Sequence, residues 1–432
     1  MPNQHPPFTL SPKLVRADRP AMITLRPTEG QPPLTDGEYE LTIYPAERPE
    51  GERRTLRARA IEGTLRLTHT FSGEQEHVLL VRGPGSQGEG TELRLYSLEE
   101  DLFARRPYKG DLHMHSIRSD GKEPPAYVAG ASRRIGLDFM AVTDHRLYAP
   151  SLEAIHAFEG LPPIASFGGR PTDLRIYPGE EVHPPDCLVH IINFGGRFSL
   201  NELFSAPRYR AEVQAIEDGL LDLPSGVDRY QYAACLWCFD KIREAGGLGL
   251  FCHPYWFWCH RYDVPEALTT RLLDSQPWDA LEVIGGYFRH EVESNILQVA
   301  RYHEERARGR RVPIVGVSDA HGCERGELFG WYYTIVFAPS TELPELIQSI
   351  KALYSVAVEA LPGETARAHG PFRLAKYAHF LLREVFPEHD ALCAQEGRLM
   401  LAHLAGDVTA VDQLRPCSGA IARLYARLWG TP

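Results

Sequence analysis

The feature that most constrains this chain is a series of short apolar runs between residues 110 and 318, most of which carry an imidazole or a carboxylate at or near their end. The runs are Gly110–His115, Asp138–Thr143, Arg175–Glu181, Leu188–Phe194, Leu248–His253, Ala280–Ile284 and Val312–Ser318. Amphipathic stretches fit between them at Ala126–Ile135, Leu152–Glu159, Tyr232–Ala245, Pro265–Asp274 and Glu291–Arg308. Short strands alternating with helices predict an α/β fold. A late strand, Tyr333–Phe337, and a helix, Leu343–Leu353, extend it. In β/α barrels the active site lies at the carboxyl ends of the strands. The chemistry is therefore expected where these runs stop.

The first run closes on Asp111-Leu112-His113-Met114-His115-Ser116, with Asp120-Gly121 behind it. In an extended strand, residues i and i+2 share a side, so His113 and His115 face one cavity. Two surface histidines on any strand meet that condition. The weight comes from the other strand ends. They supply Thr143-Asp144-His145, Gly179-Glu180-Glu181, His190, Cys252-His253-Pro254 and Ser318-Asp319-Ala320-His321. The candidate ligands are His113, His115, Asp120, His145, Glu181, His190, His253, Asp319 and His321, with Glu180 open as an alternative to Glu181. So many polar groups in one cavity are costly to bury unless cations compensate them. Mixed imidazole and carboxylate donors suit zinc, manganese or iron better than calcium. The set exceeds what one tetrahedral zinc can use, so two or three divalent ions are expected. A multinuclear centre can hold a bridging hydroxide as nucleophile, and no serine or cysteine nucleophile is then required.

Composition excludes several partners. Lys and Arg number 46 against 57 Asp and Glu, a net charge of −11 with no basic block, which argues against duplex nucleic acid. No run of about 18 apolar residues occurs and residues 1–20 lack a signal-peptide core, so neither a membrane span nor secretion is expected. The eight cysteines show no disulfide spacing, which fits a reducing cytoplasm. Cys235-x-x-Cys238 has no second pair and reads as a helix interior rather than half a zinc knuckle.

Residues 1–106 alternate apolar and polar positions, as in Glu40–Tyr44, Thr64–Thr68 and Glu92–Tyr96, with Gly- and Pro-rich turns between. This predicts a small β-sandwich domain with no chemistry of its own. The metal-binding domain then spans 107–369, with an insertion at about 196–247 that either covers the site or is an inert excursion. Residues 370–432 read as a helical extension that packs on the barrel or on a second copy of the chain, so a homo-oligomer is one expectation.

Near the motifs, Arg118 is a candidate for gripping an anionic substrate, and Arg325 a weaker one. His260 is a candidate proton donor, and Asp144 is expected to orient a ligand. Glu282 reads as either an orienting group or half of a salt bridge. The aromatic run Tyr255, Trp256, Phe257 and Trp258 reads as either a stacking platform or packing beneath the insertion.

Taken together and in this order, the motifs resemble those of the PHP (polymerase and histidinol phosphatase) superfamily of metal-dependent hydrolases, over about residues 108–340. The resemblance implies a distorted seven-stranded β/α barrel. It implies a two-metal core of His113, His115, Glu181, His253 and Asp319, with Glu181 bridging. Asp120, His145 and His321 would serve a further ion, and His190 would complete another. Asp120 stands where some relatives carry His. The preceding β-domain and the run His115–Gly121 look most like the carbaryl-hydrolase-like (CehA/McbA) group. The function expected is a phosphoesterase acting on a small phosphomonoester, a nucleotide or an oligonucleotide phosphodiester. The alternatives are a carboxyl ester, carbamate or amide hydrolase with the same centre, and a non-catalytic metal-binding scaffold.

Overall fold

The computed structural model describes residues 7–47, 53–85, 88, 90–158, 161, 172–324 and 328–430. They form two compact units. One holds residues 1–106, 380–387 and 420–432, and the other holds 107–379 and 388–419.

In the first unit, alternating burial along the strands builds one apolar face. The strands are β1 (Phe8–Ser11), β2 (Leu14–Arg16), β3 (Pro20–Pro27), β4 (Gly37–Pro45), β5 (Arg54–Ile61), β6 (Thr64–Thr70), β7 (Gln75–Arg82) and β8 (Thr91–Leu98). A one-turn helix, α1 (Glu100–Phe103), follows. Leu25, Tyr39, Leu41, Leu65, Leu79, Val81 and Leu95 point to the same core, as the period of two requires. All eight strands join one sheet in the order β1-β3-β6-β5-β4-β7-β8-β2. This corrects the expected two-sheet sandwich. The two ends of the sheet, β1 and β2, are consecutive segments of the chain, so the sheet curls back toward itself instead of splitting into layers.

In the second unit the strands are β9 (Arg106–Asp111), β10 (Phe139–Ala141), β11 (Arg175–Tyr177), β12 (Gly179–Val182), β13 (Ile191–Phe194), β14 (Leu248–Phe251), β15 (Phe257–Trp258), β16 (Arg261–Tyr262), β17 (Ala280–Ile284), β18 (Ile314–Gly316), β19 (Tyr332–Ala338), β20 (Ser355–Glu359) and β21 (Arg367–His369). The helices are α2 (Pro125–Arg134), α3 (Ala149–His156), α4 (Pro207–Gly219), α5 (Arg229–Glu244), α6 (Glu266–Ser275), α7 (Val292–Ala307) and α8 (Leu343–Lys351). The C-terminal helices are α9 (Phe372–Glu384), α10 (Phe386–Leu404), α11 (Ala410–Cys417) and α12 (Ala420–Leu428). The C-terminal residues are shared between the two units instead of forming a separate extension.

β10, β13, β14 and β17 are buried along their whole length, which is why they read as largely apolar runs, interrupted only by Asn193 in β13 and Glu282 in β17. β9 and β10 approach so closely that a Cβ on Gly110 would lie 2.2 Å from the Phe139 ring. The mixed α/β character agrees with the sequence reading, but the ladders do not run continuously round a seven-stranded barrel. They form a six-stranded sheet, β11-β10-β9-β19-β20-β21, and a five-stranded sheet, β12-β13-β14-β17-β18. Within the second, β12 pairs β13 and β13 pairs β14 antiparallel. Two single bridges link the two sheets: Met114 to Ala320, both past the ends of their strands, and His145, past the end of β10, to Glu181 within β12.

Candidate metal centre

The first strand stops at Asp111, so His113 and His115 stand on the segment just past it. That segment is held as if it were still a strand. His115 N donates to Ala320 O at 2.9 Å, and Asp319 N donates to His113 O at 2.9 Å. Asp111 Oδ1 accepts from His113 N and Ser318 N, tying both motifs together from below. Burial pushes the Asp111 carboxyl up to about 7. Asp319 adopts φ +50, an unusual conformation for a residue with a side chain and one that recurs where function holds the backbone in place. Across the other seam, Arg146 N donates to Glu181 O at 2.9 Å.

Glu181 lies at the centre. Its Oε2 is 2.6 Å from His145 Nδ1, 3.4 Å from His115 Nε2 and 3.5 Å from His113 Nε2. Its Oε1 is 2.8 Å from His190 Nδ1 and 3.5 Å from both His183 Nε2 and His253 Nε2. Asp319 Oδ1 lies 2.8 Å from His115 Nε2 and 3.2 Å from His113 Nε2. Asp120, on the exposed rim, faces a third group: His321 Nε2 at 3.3 Å, His145 Nε2 at 3.4 Å and His115 Nδ1 at 3.9 Å. The rings of His145 and His321 each stack on His115, with centroids 4.2 Å apart. The structure thus brings together all nine sequence-predicted ligands, Asp120 included.

The two glutamates left open as alternatives have different surroundings. The Glu180 carboxylate accepts from Asn193 Nδ2, Ser199 Oγ, Leu200 N and Asn201 Nδ2. It is fully engaged in holding the start of the insertion. Both Glu181 oxygens are buried, face imidazoles, and have no aligned hydrogen-bond donor. His115 Nδ1 and His190 Nδ1 are buried and unsatisfied in the same way. Buried polar atoms are rarely left so. His113 Nε2 and His115 Nε2 sit 3.2 Å apart, a spacing at which two imidazole nitrogens converge on one point. The donor set therefore fits divalent ions of the zinc, manganese and iron type.

The electrostatics agree. Burial alone would raise the Asp319 carboxyl, but the charges on His113, His115 and His321 outweigh it and hold the group well below the usual carboxylate range. Burial likewise opposes ionisation of Glu181, and His190 and His113 overcome it. His253 is pushed up to about 9 because Glu181, Glu282 and Asp319 outweigh its burial. These protons occupy positions that cations would take, and metal uptake by such ligands releases them.

Of the other candidates, Asp144 is buried and accepts from Ser116 N at 2.8 Å, Ser116 Oγ at 2.6 Å and Ser119 N at 3.2 Å. It shapes the loop between the first histidines and Asp120, so it positions ligands instead of reacting. Glu282 Oε2 lies 3.3 Å from His113 Nδ1, which leaves Nε2 of that ring for the cluster. Two expectations need correction. The Arg118 guanidinium is exposed and forked on Glu153, with Nε and Nη2 each 2.9 Å from a carboxylate oxygen. His260 is exposed at the tip of the β15–β16 hairpin. With Cys259 it forms a two-residue turn at φ +49 and +67, and among the described residues it makes no contact with the cluster. Trp256 lies beside the centre, its ring 6.2 Å from His253 and 6.3 Å from His190. Arg325 and the side chain of Trp258 lie outside the described residues. Cys235 and Cys238 are both on the buried face of α5, as a helix interior demands.

Sequence reasoning missed His183. Its Nε2 is 3.0 Å from His145 Nδ1, and its ring stacks on His190 at 3.9 Å. The signal was present, because His183 stands at i+2 from Glu181, the spacing that singled out His113 and His115. His183 also lines a cavity of about 720 Å³ together with Arg146, Asp186, Asn201, Phe204 and Gln231. Asn201, Phe204 and Gln231 come from the insertion, which therefore forms a wall beside the centre.

No family model matches the chain. A stretch of 83 residues is 37% identical to the DNA polymerase/3′-5′ exonuclease PolX of Bacillus subtilis, covering 18% of this chain and 15% of that protein. Among solved structures, a two-domain protein of Bacteroides vulgatus containing a predicted PHP-like metal-dependent phosphoesterase aligns over 59% of this chain and 65% of its own, at 18% identity and a TM-score of 0.35. A metal-dependent phosphoesterase of Bifidobacterium adolescentis aligns over 49% of this chain and 87% of its own, at 21% identity and a TM-score of 0.30. An amidohydrolase of Chromobacterium violaceum with bound sulfate covers 50% and 88%, at 20% identity and a TM-score of 0.29. None of them speaks for the carbaryl-hydrolase-like group. No helix among the described residues is long and apolar enough to cross a membrane.

Proposed function

We propose that this chain is a metal-dependent hydrolase of the PHP type that cleaves phosphoesters on a small-molecule or nucleotide substrate. The observation that carries the reading is Glu181, a fully buried carboxylate whose two oxygens lack aligned donors and each face three imidazoles. In this reading His113, His115, Glu181, His253 and Asp319 hold the core ions, His190 joins at Glu181 Oε1, and Asp120, His145 and His321 hold a further one. Two or three divalent ions would supply Lewis acidity and lower the pKa of bound water. The chain's own part is to fix the donors. Glu282 sets the His113 ring, Asp144 sets the loop that carries Asp120, and Glu181 joins two ligand groups through its two oxygens.

Phosphoesters are favoured over carbon esters by Arg146, which directly follows the ligand His145 and lines the adjoining cavity. Among the described residues its guanidinium has no hydrogen-bond or ion-pair partner, unlike Arg118. Guanidinium matches phosphate geometry. A cavity of about 720 Å³ holds a leaving group of nucleotide size. The second reading, a carboxyl ester, carbamate or amide hydrolase, is favoured by the aromatic wall that Trp256 places beside His190 and His253.

The test is a screen of phosphomonoesters, phosphodiesters, carboxyl esters and carbamates with Mn²⁺, Zn²⁺ and Fe²⁺. His113→Ala and Asp319→Ala are each expected to lower turnover by more than about 100-fold while circular dichroism stays that of the folded chain. Full activity in either variant would remove the assignment. Hydrolysis confined to the carbon esters would replace the first reading with the second.

A further inference from the structure

We propose that His183 is a fourth protein ligand, completing with Glu181 Oε1, His190 and His253 a closed site for one of the ions. The proposal rests on the reading of the cluster as a metal centre and goes further in assigning a residue to it.

The geometry divides around Glu181. Its Oε2 belongs to His113, His115 and His145, while its Oε1 belongs to His183, His190 and His253. His183 Nε2 stands 3.5 Å from Oε1, the same distance as His253 Nε2. The imidazole is largely buried, stacked on His190 at 3.9 Å, and its backbone N–H is held by Asn201 Oδ1 at 3.2 Å. Three imidazoles and one carboxylate oxygen form a donor set that satisfies a tetrahedral ion with no position left open. His183 is also the one histidine of this group on the wall of the adjoining cavity. It therefore stands where a molecule arriving through that cavity would meet the ion. Of the residues that would hold the ion, His183 would be the one placed for exchange.

A rival role comes from His145 Nδ1, which lies 3.0 Å from His183 Nε2. In that case His183 would orient His145 and act on the ion held with Asp120 and His321. Removing that ion separates the two roles.

The experiment uses the full chain, with His321 intact and with His321→Ala, loaded with Co²⁺, each with and without His183→Ala. The visible spectrum is recorded, and release of cobalt to a chelating dye is timed. Adding His183→Ala is expected to weaken the intense bands of four-coordinate cobalt and to speed release by about tenfold. Circular dichroism shows whether the double variant is folded. His183→Gln, which keeps the side-chain volume, is expected to behave as His183→Ala does, and so guards against an effect of the cavity alone. An unchanged spectrum and unchanged release would overturn the proposal, as would an effect seen only when His321 is present. Ester hydrolysis by the chain with His321 intact, with no spectral change on adding His183→Ala, would discard His183 as a ligand and leave the proposed function standing. A spectral change with no hydrolysis of any ester by the chain with His321 intact would do the reverse.

Discussion

Glu180 and Glu181 are neighbours in the chain with opposite surroundings. Glu180 is saturated by side-chain and backbone donors, whereas Glu181 has none aligned and faces imidazoles. Glu181→Gln is therefore expected to lower the metal bound per chain, measured by elemental analysis, with little loss of thermal stability in chelator. Glu180→Gln should keep its metal but lose about 2–4 kcal/mol of stability, since a carboxamide nitrogen would then face donors. Equal metal content in the two variants would contradict this division. The pair also shows what a sequence reveals at this scale. Residue type and strand spacing were enough to single out nine residues that the fold brings together, because chemistry restricts which side chains can bind metals. They were not enough for Arg118, whose partner Glu153 lies 35 residues away and is brought close only by folding. His183 was legible but overlooked, as it sits one step beyond the motif that drew attention.

At the scale of elements, most strands and helices expected in the α/β unit lie near the apolar runs, but the expected strand Arg175–Glu181 is split into β11 and β12, α4, β20 and β21 were not foreseen, and the pairing does not follow from periodicity. β12 and β13 are joined by only residues 183–190, too short for a parallel crossover, and they pair antiparallel accordingly. That length could have excluded a uniform βα repeat. The role of α10 was out of reach, because it depends on contacts across more than 200 residues. Its His389 places Nε2 3.0 Å from Asp138 Oδ1, just before β10, and Nδ1 2.9 Å from Asp390 Oδ1. Asp138 also receives Arg133 Nη1 at 3.0 Å. Burial opposes the charge on His389, but Asp138 and its neighbours raise its pKa well above the ordinary value. Breaking one member of such a buried set leaves the others uncompensated. His389→Ala is expected to cost about 3 kcal/mol in denaturant unfolding without changing metal content. A loss below about 1 kcal/mol would show that α10 is held by its apolar contacts alone.

For the molecule as a whole, the two units should answer acid differently. In the eight-stranded sheet, His77 is buried with Nε2 2.9 Å from Ser97 Oγ, and burial lowers its pKa to about 4. The folded unit thus keeps it neutral where an unfolded chain, near 6.5, would protonate it. Between those values the unfolded state binds more protons, so stability is complete above about pH 6.5 and falls as pH drops toward 4. The loss approaches about 3 kcal/mol from this group. His77→Gln is expected to flatten that slope in melts recorded from pH 7 to 4.5, and an unaltered slope would assign the acid response elsewhere.

The seams between the two sheets of the α/β unit carry a consequence for kinetics. Each is bridged by a backbone bond at or next to a candidate metal ligand: His115 to Ala320, Asp319 to His113, and Arg146 to Glu181. Those three amides lie where ions would clamp the sheets together. In deuterated buffer with a chelator they should exchange faster than with metal, while the amides inside β13 and β14 keep their pace. Equal exchange in both buffers would mean that the seams hold without the ions. If the rates differ, isotope uptake at three backbone positions becomes a clock for how often the two sheets part at their seams.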